Sequence, residues 1–245
     1  MSRLTRHQLK QDRLQTVYEQ YEQWARQHYR EALWVVGAAV IVSGLIIGVK
    51  TVKERREEAA NASLGAALET FHAYVGTAPQ GALGAREQSY PTAEAKYKKS
   101  LGQFLDIANV KGLDAILPRS RSTTLALYYA GLCQAQLGNH AAAIKAFEPL
   151  AGDSHREVAS LARFAQAGEL VKSGKTADGV EIYDELAAHP TATVTRDMAL
   201  LAKAEALAPS DPARARAVYA QLQKEFSADP RLAMQINQEA ASLGK

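Results

Sequence analysis

The segment GELVKSGKT, residues 168–176, ends in the three letters of a phosphate-binding loop. Such a loop needs the spacing GxxxxGK[ST] on a turn that leaves a strand and opens a helix, because its backbone N–H groups must converge on phosphate. Here Gly168 and Gly174 are one residue too far apart, and Glu169 puts a negative charge at the required position. The preceding residues have a helical pattern. The sequence therefore predicts a turn between helices, with Gly174 as a left-handed C-cap glycine and no nucleotide site.

Other side chains that could do chemistry are dispersed along the chain. The six histidines are scattered, and no two of them have the spacing of a metal-ligand pair. The single cysteine, Cys133, excludes an internal disulfide and cysteine-based zinc sites, and we interpret it as a small core residue. The chain has no GxSxG or HExxH motif. We predict no enzyme, no metal and no cofactor.

Composition narrows the class of partner. The 29 Lys and Arg residues nearly balance the 26 Asp and Glu residues, so the protein offers no strong field to a polyanion. We therefore predict no nucleic-acid partner. A hydrophobic content of 47% is typical of globular chains, and 245 residues can form one or two domains.

One apolar segment bears on location. Residues 33–49 carry no charge and include about ten Leu, Ile and Val side chains, which favour membrane insertion by roughly 3–6 kcal/mol. As a helix they span roughly 26 Å, near the lower limit for a hydrocarbon core. No small-x-small cleavage site follows. We predict one retained transmembrane helix, in preference to a signal peptide or a buried soluble helix.

Basic residues flank this segment on both sides. Six precede it in residues 1–32 and four follow it in residues 50–56, so the positive-inside rule favours a cytoplasmic N-terminus. In a bacterium, that orientation puts the chain in the inner membrane with its C-terminal part in the periplasm.

The N-terminal region and the span both have candidate docking features. Residues 9–31 lack Gly and Pro and carry an apolar stripe at helical spacing, formed by Leu14, Val17, Tyr21, Trp24 and Ala25. This amphipathic helix lies in the membrane interface, docks on a partner or is simply solvated; the three interpretations stay open. Within the span, Gly37, Gly44 and Gly48 share a face on which another helix could pack closely, although glycine is common in membrane helices.

The rest of the chain has helical periodicity. Residues 50–76 continue as a helix that ends at Gly76, with Leu64, Leu68, Phe71 and Val75 as its apolar stripe. Residues 77–90 form a loop, and a second helix runs from about Thr92 to Asn109, with one side formed by Tyr97, Leu101, Leu105 and Ala108. The predicted class is all-α, and the predicted domains are 1–32, 33–49, 50–121 and 122–245.

An internal repeat organises the C-terminal half. Residues 130–151 align with residues 166–187 at a constant offset of 36, and the same offset leads to a weaker third copy. The offset relates Gly138, Gly174 and Ser210 at the turn, and Leu150, Leu186 and Leu222 further on. Two short helices that meet at a turn cannot bury their apolar faces alone, so several pairs must stack.

This pattern resembles the tetratricopeptide repeat (TPR) family, a helix-turn-helix with small residues at its eighth and twentieth positions and an aromatic at its twenty-fourth. The corresponding residues are Gly131, Ala143 and Phe147, then Ala167, Gly179 and Tyr183, then Lys203, Ala215 and Tyr219. Lys203 departs from the pattern. The resemblance implies an α-hairpin solenoid, to which residues 55–76 and 92–109 could add a divergent hairpin.

The resemblance also implies a concave groove lined by the first helix of each repeat. It assigns protein binding to Tyr128, Leu132, Phe164, Val171 and Leu200, with Ala135 and Leu207 beside them. This lining is apolar to aromatic and would favour apolar segments, unless these side chains only pack between hairpins. It lacks the Lys, Asn and Arg set with which TPR co-chaperones hold carboxylates.

The order of tail, span and repeats resembles the YfgM-like ancillary subunits of the SecYEG translocon, a family of membrane-anchored TPR proteins. The resemblance implies a periplasmic protein-interaction module, a chaperone or scaffold that holds client or partner proteins near the inner membrane or translocon. The alternative is a structural or accessory subunit of a membrane protein complex, docked through its N-terminal and transmembrane helices.

Overall fold

The computed structural model describes residues 6–76, 89–109, 119–227 and 230–242, and the side chains of residues 6–29, 31, 32, 53, 56 and 231 lie outside that description. Helices hold 81% of the chain and strands 2%, which confirms the predicted all-α class. The chain divides into two compact units, Met1–Arg56 and Glu57–Lys245.

The described residues form nine α-helices and two short strands. The helices are α1 (Arg6–His72), α2 (Ala93–Ala108), α3 (Arg121–Gln136), α4 (His140–Phe147), α5 (Arg156–Lys172), α6 (Thr176–Ala188), α7 (Arg196–Leu207), α8 (Pro212–Glu225) and α9 (Pro230–Ser242). The strands β1 (Tyr74–Val75) and β2 (Ser89–Tyr90) pair in parallel.

The first unit contains the N-terminal part of α1. Within the described residues, α1 is the one helix long and apolar enough to cross a membrane; its most apolar stretch has a mean hydropathy of 2.2 and no buried residue. Exposed fractions of the large apolar side chains here run from 50% at Val52 to 81% at Trp34. The predicted helix over residues 9–31 is part of α1, but its apolar stripe lies outside the described side chains.

The second unit is an array of helical hairpins. Helices α3 and α4, α5 and α6, and α7 and α8 contact each other in pairs, and each pair contacts the next through α4–α5 and α6–α7. The first helices of successive pairs also touch, since α3 contacts α5 and α5 contacts α7. The end of α1 joins the array, because Leu64 and Ala67 share a buried cluster with Phe104 of α2 and Ala126 of α3.

Left-handed glycines close the first two hairpins. Gly138 has a φ of 75° and Gly174 a φ of 86°, a conformation that side chains with a Cβ rarely adopt. GELVKSGKT therefore forms the end of α5, a turn and the start of α6, as predicted, so the element that leads into the turn is a helix and not a strand. The third turn is different: Ser210 has no positive φ, and the Asp211 side chain accepts a hydrogen bond from Arg214 N, with Pro212 in the first turn of α8.

Small residues allow close approach within the hairpins. A Cβ placed on Gly131 would lie 2.4 Å from Cε1 of Phe147, so the ring of α4 occupies the space that a side chain on α3 would need. A Cβ on Gly179 would lie 2.7 Å from Cγ2 of Val171 and 2.8 Å from the carbonyl oxygen of Ala167. The predicted small and aromatic positions thus meet in space.

The third hairpin corrects the alignment of Lys203. The fully buried small residue of α7 is Ala204, at 0% exposure, whereas Lys203 is half-buried and its Nζ lies 2.5 Å from Oδ1 of Asp184. The burial pattern of α7 therefore follows that of α5 at an offset of 37, one residue more than the sequence comparison used. The third copy keeps its small buried residue, and the lysine neighbours it.

Two predictions near the start of the second unit are wrong. Helix α1 ends at His72, and Val75 belongs to β1 with 48% exposure, so it is not part of the apolar stripe. Leu105 is 47% exposed, because the buried side of α2 is formed by Lys96, Ser100 and Phe104. Of the predicted loop over residues 77–90, residues 77–88 lie outside the described residues, whereas residues 89 and 90 form β2 and not a loop.

The polar groups on that side of α2 reach backbone acceptors. The Lys96 amine donates to the carbonyl of Ala73 at 3.1 Å, and the Ser100 hydroxyl donates to that of Ala67 at 3.2 Å. These bonds offset the cost of burying polar groups and tie α2 to the end of α1.

The contact between Gly131 and Phe147 predicts opposite outcomes for two Gly→Ala substitutions. Gly131→Ala should lower the free energy of unfolding by about 1–2 kcal/mol, because overpacking outweighs the gain in helix propensity. Gly102→Ala, in the interior of α2 with nothing within 4 Å of the added methyl, should raise it by about 0.5–1 kcal/mol.

Denaturant unfolding of the full chain in mild detergent, followed by circular dichroism, measures both changes. A Gly131→Ala protein at least as stable as the Gly102→Ala protein would show that the ring and the glycine are not in close contact.

Candidate functional site

Three residues near the start of α3 have the side-chain types of a nucleophilic triad. His155 Nδ1 lies 2.8 Å from Oδ1 of Asp153 and 3.4 Å from Oγ1 of Thr124. A triad needs the carboxylate on one ring nitrogen and the hydroxyl on the other, so that a proton can be transferred through the ring. Because both groups face the same nitrogen, the arrangement cannot act as a proton relay.

The same cluster has a clear structural role. Asp153 accepts hydrogen bonds from the backbone N of His155 at 3.0 Å and from Thr124 Oγ1 at 3.2 Å. Burial opposes ionisation of Asp153, but the bonds from His155 and Thr124 outweigh it and lower the pKa of the carboxyl. The cluster therefore fastens the connection before α5 to the first turn of α3.

The described residues contain neither a cluster of metal ligands nor a reactive thiol. No three His, Cys, Asp or Glu side chains there come together in a way that could hold a metal ion. Cys133 is fully buried in the cluster with Phe104, and burial raises the pKa of its thiol to about 12. A thiol of this kind is protonated at neutral pH and is a poor nucleophile.

Helices α3, α5 and α7 share a surface. Each helix presents three residues at the same spacing, and none of the nine is fully buried. Since α3 contacts α5 and α5 contacts α7, the three stripes form one surface, here called the α3–α5–α7 face. Its residues are Leu125, Tyr128 and Leu132, then Leu161, Phe164 and Gly168, then Met198, Leu201 and Glu205.

Three of the predicted groove residues belong to this face, and Val171 lies one turn further along α5. Tyr128, Leu132, Phe164 and Val171 are all half-buried. Their inner sides pack: the Tyr128 ring centroid lies 6.0 Å from that of Phe147, and the Phe164 centroid lies 5.3 Å from that of Tyr183. These side chains therefore contribute to the core and to the surface at the same time.

The predicted groove residues on α7 are corrected by the register shift. Leu200 and Leu207 are 3% and 4% exposed and belong to the core, so they are not part of an accessible surface. Met198, Leu201 and Glu205 take their place on the face. The sequence contained the signal, because these residues repeat the spacing of Leu161, Phe164 and Gly168 at an offset of 37.

A row of alternating carboxyl and phenol groups runs beside this face. The charges of Glu169 and Glu205 both raise the pKa of Tyr183, after the larger effect of burial. Tyr219 donates to Glu239 Oε2 at 3.0 Å. Burial, the bond and charge of Glu239 and then the charge of Glu205 raise the pKa of Tyr219. These groups lie on successive helices: Glu169 on α5, Tyr183 on α6, Glu205 on α7, Tyr219 on α8 and Glu239 on α9.

The first carboxylate of the row is fully compensated. Glu169 is 4% exposed, and its oxygens lie 2.6 Å from His140 Nδ1 and 2.7 Å from Lys172 Nζ. Burial opposes ionisation, but the bonds from Lys172 and His140 outweigh it, so the pKa of Glu169 is lowered. The residue that spoils the phosphate-loop motif thus joins α5 to the start of α4.

The glycines of the span have open surroundings. Gly44 and Gly48 are exposed on α1 and Gly37 is half-exposed, with nothing within 4 Å of a Cβ placed on any of them. They therefore form an uncovered surface of the first unit.

Comparison with protein-family models, with curated proteins and with solved structures gives no match for this chain.

The pairing of Glu169 predicts a pH-dependent contribution to stability. Glu169→Gln should lower the free energy of unfolding by about 1–3 kcal/mol at neutral pH, because it removes the charge that His140 and Lys172 face. Since the folded pKa is below the unfolded one, this contribution is complete above the unfolded pKa. It is lost as the pH falls through the lowered value.

Urea unfolding of both proteins at about pH 7 and about pH 3 measures the difference. Glu181→Gln, an exposed glutamate on α6, is the control and should change stability little at either pH. An equal gap between wild type and Glu169→Gln at both pH values would contradict the assignment.

Proposed function

We propose that this protein is a membrane-anchored, TPR-like interaction module that binds protein segments on the α3–α5–α7 face. The main observation in favour of this function is that three neighbouring helices present apolar and aromatic side chains on this face at one repeated spacing. A contiguous apolar surface is a feature of sites at which proteins bind other proteins. The stacked hairpin contacts of α3 to α8 support the solenoid interpretation.

The anchor follows from the apolar part of α1. Side chains such as Trp34, Ile41 and Ile47 are 81%, 65% and 64% exposed, which is unfavourable in water and favourable in lipid. Such a helix spans a bilayer core with all its backbone groups hydrogen-bonded internally. We infer that it stays in the membrane and keeps the second unit near the bilayer.

The role that fits best is to hold partner or client proteins close to a bacterial inner membrane, on its periplasmic side, in the manner of a translocon-associated chaperone or scaffold. Apolar segments are exposed on proteins that are unfolded or newly translocated, and the chemistry of the face suits them. The surplus of basic residues before the span supports a cytoplasmic N-terminus.

A second candidate function is that of a fixed subunit in a membrane complex. The observation that favours it is the uncovered surface at Gly37, Gly44 and Gly48, which would let a neighbouring membrane helix approach α1 closely. Here the partner would contact the span, and the α3–α5–α7 face would be dispensable.

Site-specific photocrosslinking separates the two. A photoreactive amino acid at Tyr128 or Met198, in the full chain in bacterial membranes, should give discrete protein adducts, whereas one at Ala217 on α8 should not. Met198→Asp should lower the yield of adducts from the Tyr128 position several-fold, since a charge disrupts an apolar contact. Adducts that form only from positions next to Gly44 would favour the subunit. Equal adducts from Tyr128 and Ala217 would reject binding on the face.

Orientation has its own test. A reporter enzyme active only in the periplasm, fused after Lys245, should be active, and a reporter active only in the cytoplasm should be inactive at the same position. The physical reason is the retention of basic residues on the cytoplasmic side. The opposite pair of results would place the repeats in the cytoplasm and remove secreted clients from the proposal.

A further inference from the structure

Glu205 differs from the other two glutamates of the row. Glu169 is held by His140 and Lys172, and Glu239 accepts bonds from Tyr219 and from Gln235 Nε2 at 2.9 Å. Glu205, on the exposed side of α7, has no hydrogen-bond or ion-pair partner among the described residues. The middle carboxylate of the row is thus the one that the protein leaves uncompensated.

A second polar group beside the face also lacks a partner. Tyr183 is 5% exposed, yet its hydroxyl makes no hydrogen bond to any residue that the structure describes. The oxygen lies 3.4 Å from the position of a Cβ on Gly168, so the glycine leaves room above the hydroxyl on the α3–α5–α7 face. A buried phenol usually finds a partner, as Tyr219 does with Glu239.

Apolar side chains flank the Tyr183 hydroxyl and the Glu205 carboxylate. Phe164 packs edge-on against the Tyr183 ring, and Leu201 and Met198 precede Glu205 on the same side of α7. Burial, and then the charge of Glu239, raise the pKa of Glu205, because both disfavour its charged form. A cation placed here would relieve that repulsion.

We propose that Glu205 and the Tyr183 hydroxyl form a polar site that binds one cationic side chain, lysine or arginine, of a partner segment whose other contacts with the face are apolar. The inference rests on the proposed function and adds a preference for partner segments that carry a lysine or an arginine. The carboxylate accepts a charge-assisted hydrogen bond, and the phenol oxygen accepts a second one from the same ammonium or guanidinium group. The long alkyl stem of either side chain lies against Leu201 and Phe164.

A glutamate that binds a partner and a glutamate that stabilises the fold respond differently to loss of their charge. A glutamate that serves the fold loses stability when its charge is removed, as expected for Glu169. Glu205→Gln should leave the full chain equally stable or slightly more stable, because it removes repulsion from Glu239. Tyr183→Phe should likewise be tolerated, since the hydroxyl it removes has no partner in the described residues.

The test uses the full chain in detergent and three labelled peptides of one apolar sequence, with Lys, Gln or Glu at the central position. Fluorescence anisotropy should show the Lys peptide binding about tenfold more tightly than the Gln peptide at low salt, with the preference falling as salt rises. Glu205→Gln should abolish the preference, Glu205→Lys should transfer it to the Glu peptide, and Tyr183→Phe should reduce it. Glu181→Gln should retain it.

The outcomes separate this inference from the proposed function. If the wild type binds the Gln and Lys peptides equally, or if Glu205→Gln keeps the preference, the cation site is wrong and the apolar face stands. If no peptide binds the wild type, the face does not capture apolar segments and both proposals fall.

Discussion

The second unit depends on the close approach of paired helices, and that approach depends on the absence of side chains at a few positions. Gly131 leaves the space that the Phe147 ring fills, and Gly179 lets α6 come up against the backbone of α5 at Ala167. Each aromatic then fills the gap beside its small neighbour, so one hairpin offers a packed surface to the next. Without these contacts, α3 to α8 would be separate helices, most of them no longer than the roughly 12–15 residues at which an isolated helix is marginally stable.

The stacking also produces the candidate site. When the inner halves of residues such as Tyr128 and Phe164 pack on the aromatics of their own hairpins, the outer halves are left side by side along α3, α5 and α7. The same side chains therefore contribute both to the core and to the apolar surface. The carboxylates beside the face differ in the same way: Glu169 and Glu239 join helices, while Glu205, which takes the position of Gly168 on α7, has no partner in the described chain.

Side-chain types alone pointed to chemistry that the geometry does not support. GELVKSGKT has the final letters of a phosphate loop, and Thr124, Asp153 and His155 have the types of a triad. In space, the first is a helix turn with a left-handed Gly174, and the second places both oxygens on one ring nitrogen. Both groups instead hold the connections between helices in place, which is a structural use of polar residues.

The sequence by itself determined the helical class, the apolar part of α1, and the first two hairpins with their turn glycines, because these follow from local composition and from a repeat strong enough to align. Only the tertiary structure decided the register of α7, where Ala204 rather than Lys203 is buried, the end of α1 and the buried side of α2. A shift of one residue turns a helix by roughly 100° and exchanges core for surface positions. Packing against α5, α6 and α8 fixes that rotation. Local pattern could not, since alanines and leucines occupy several sides of α7.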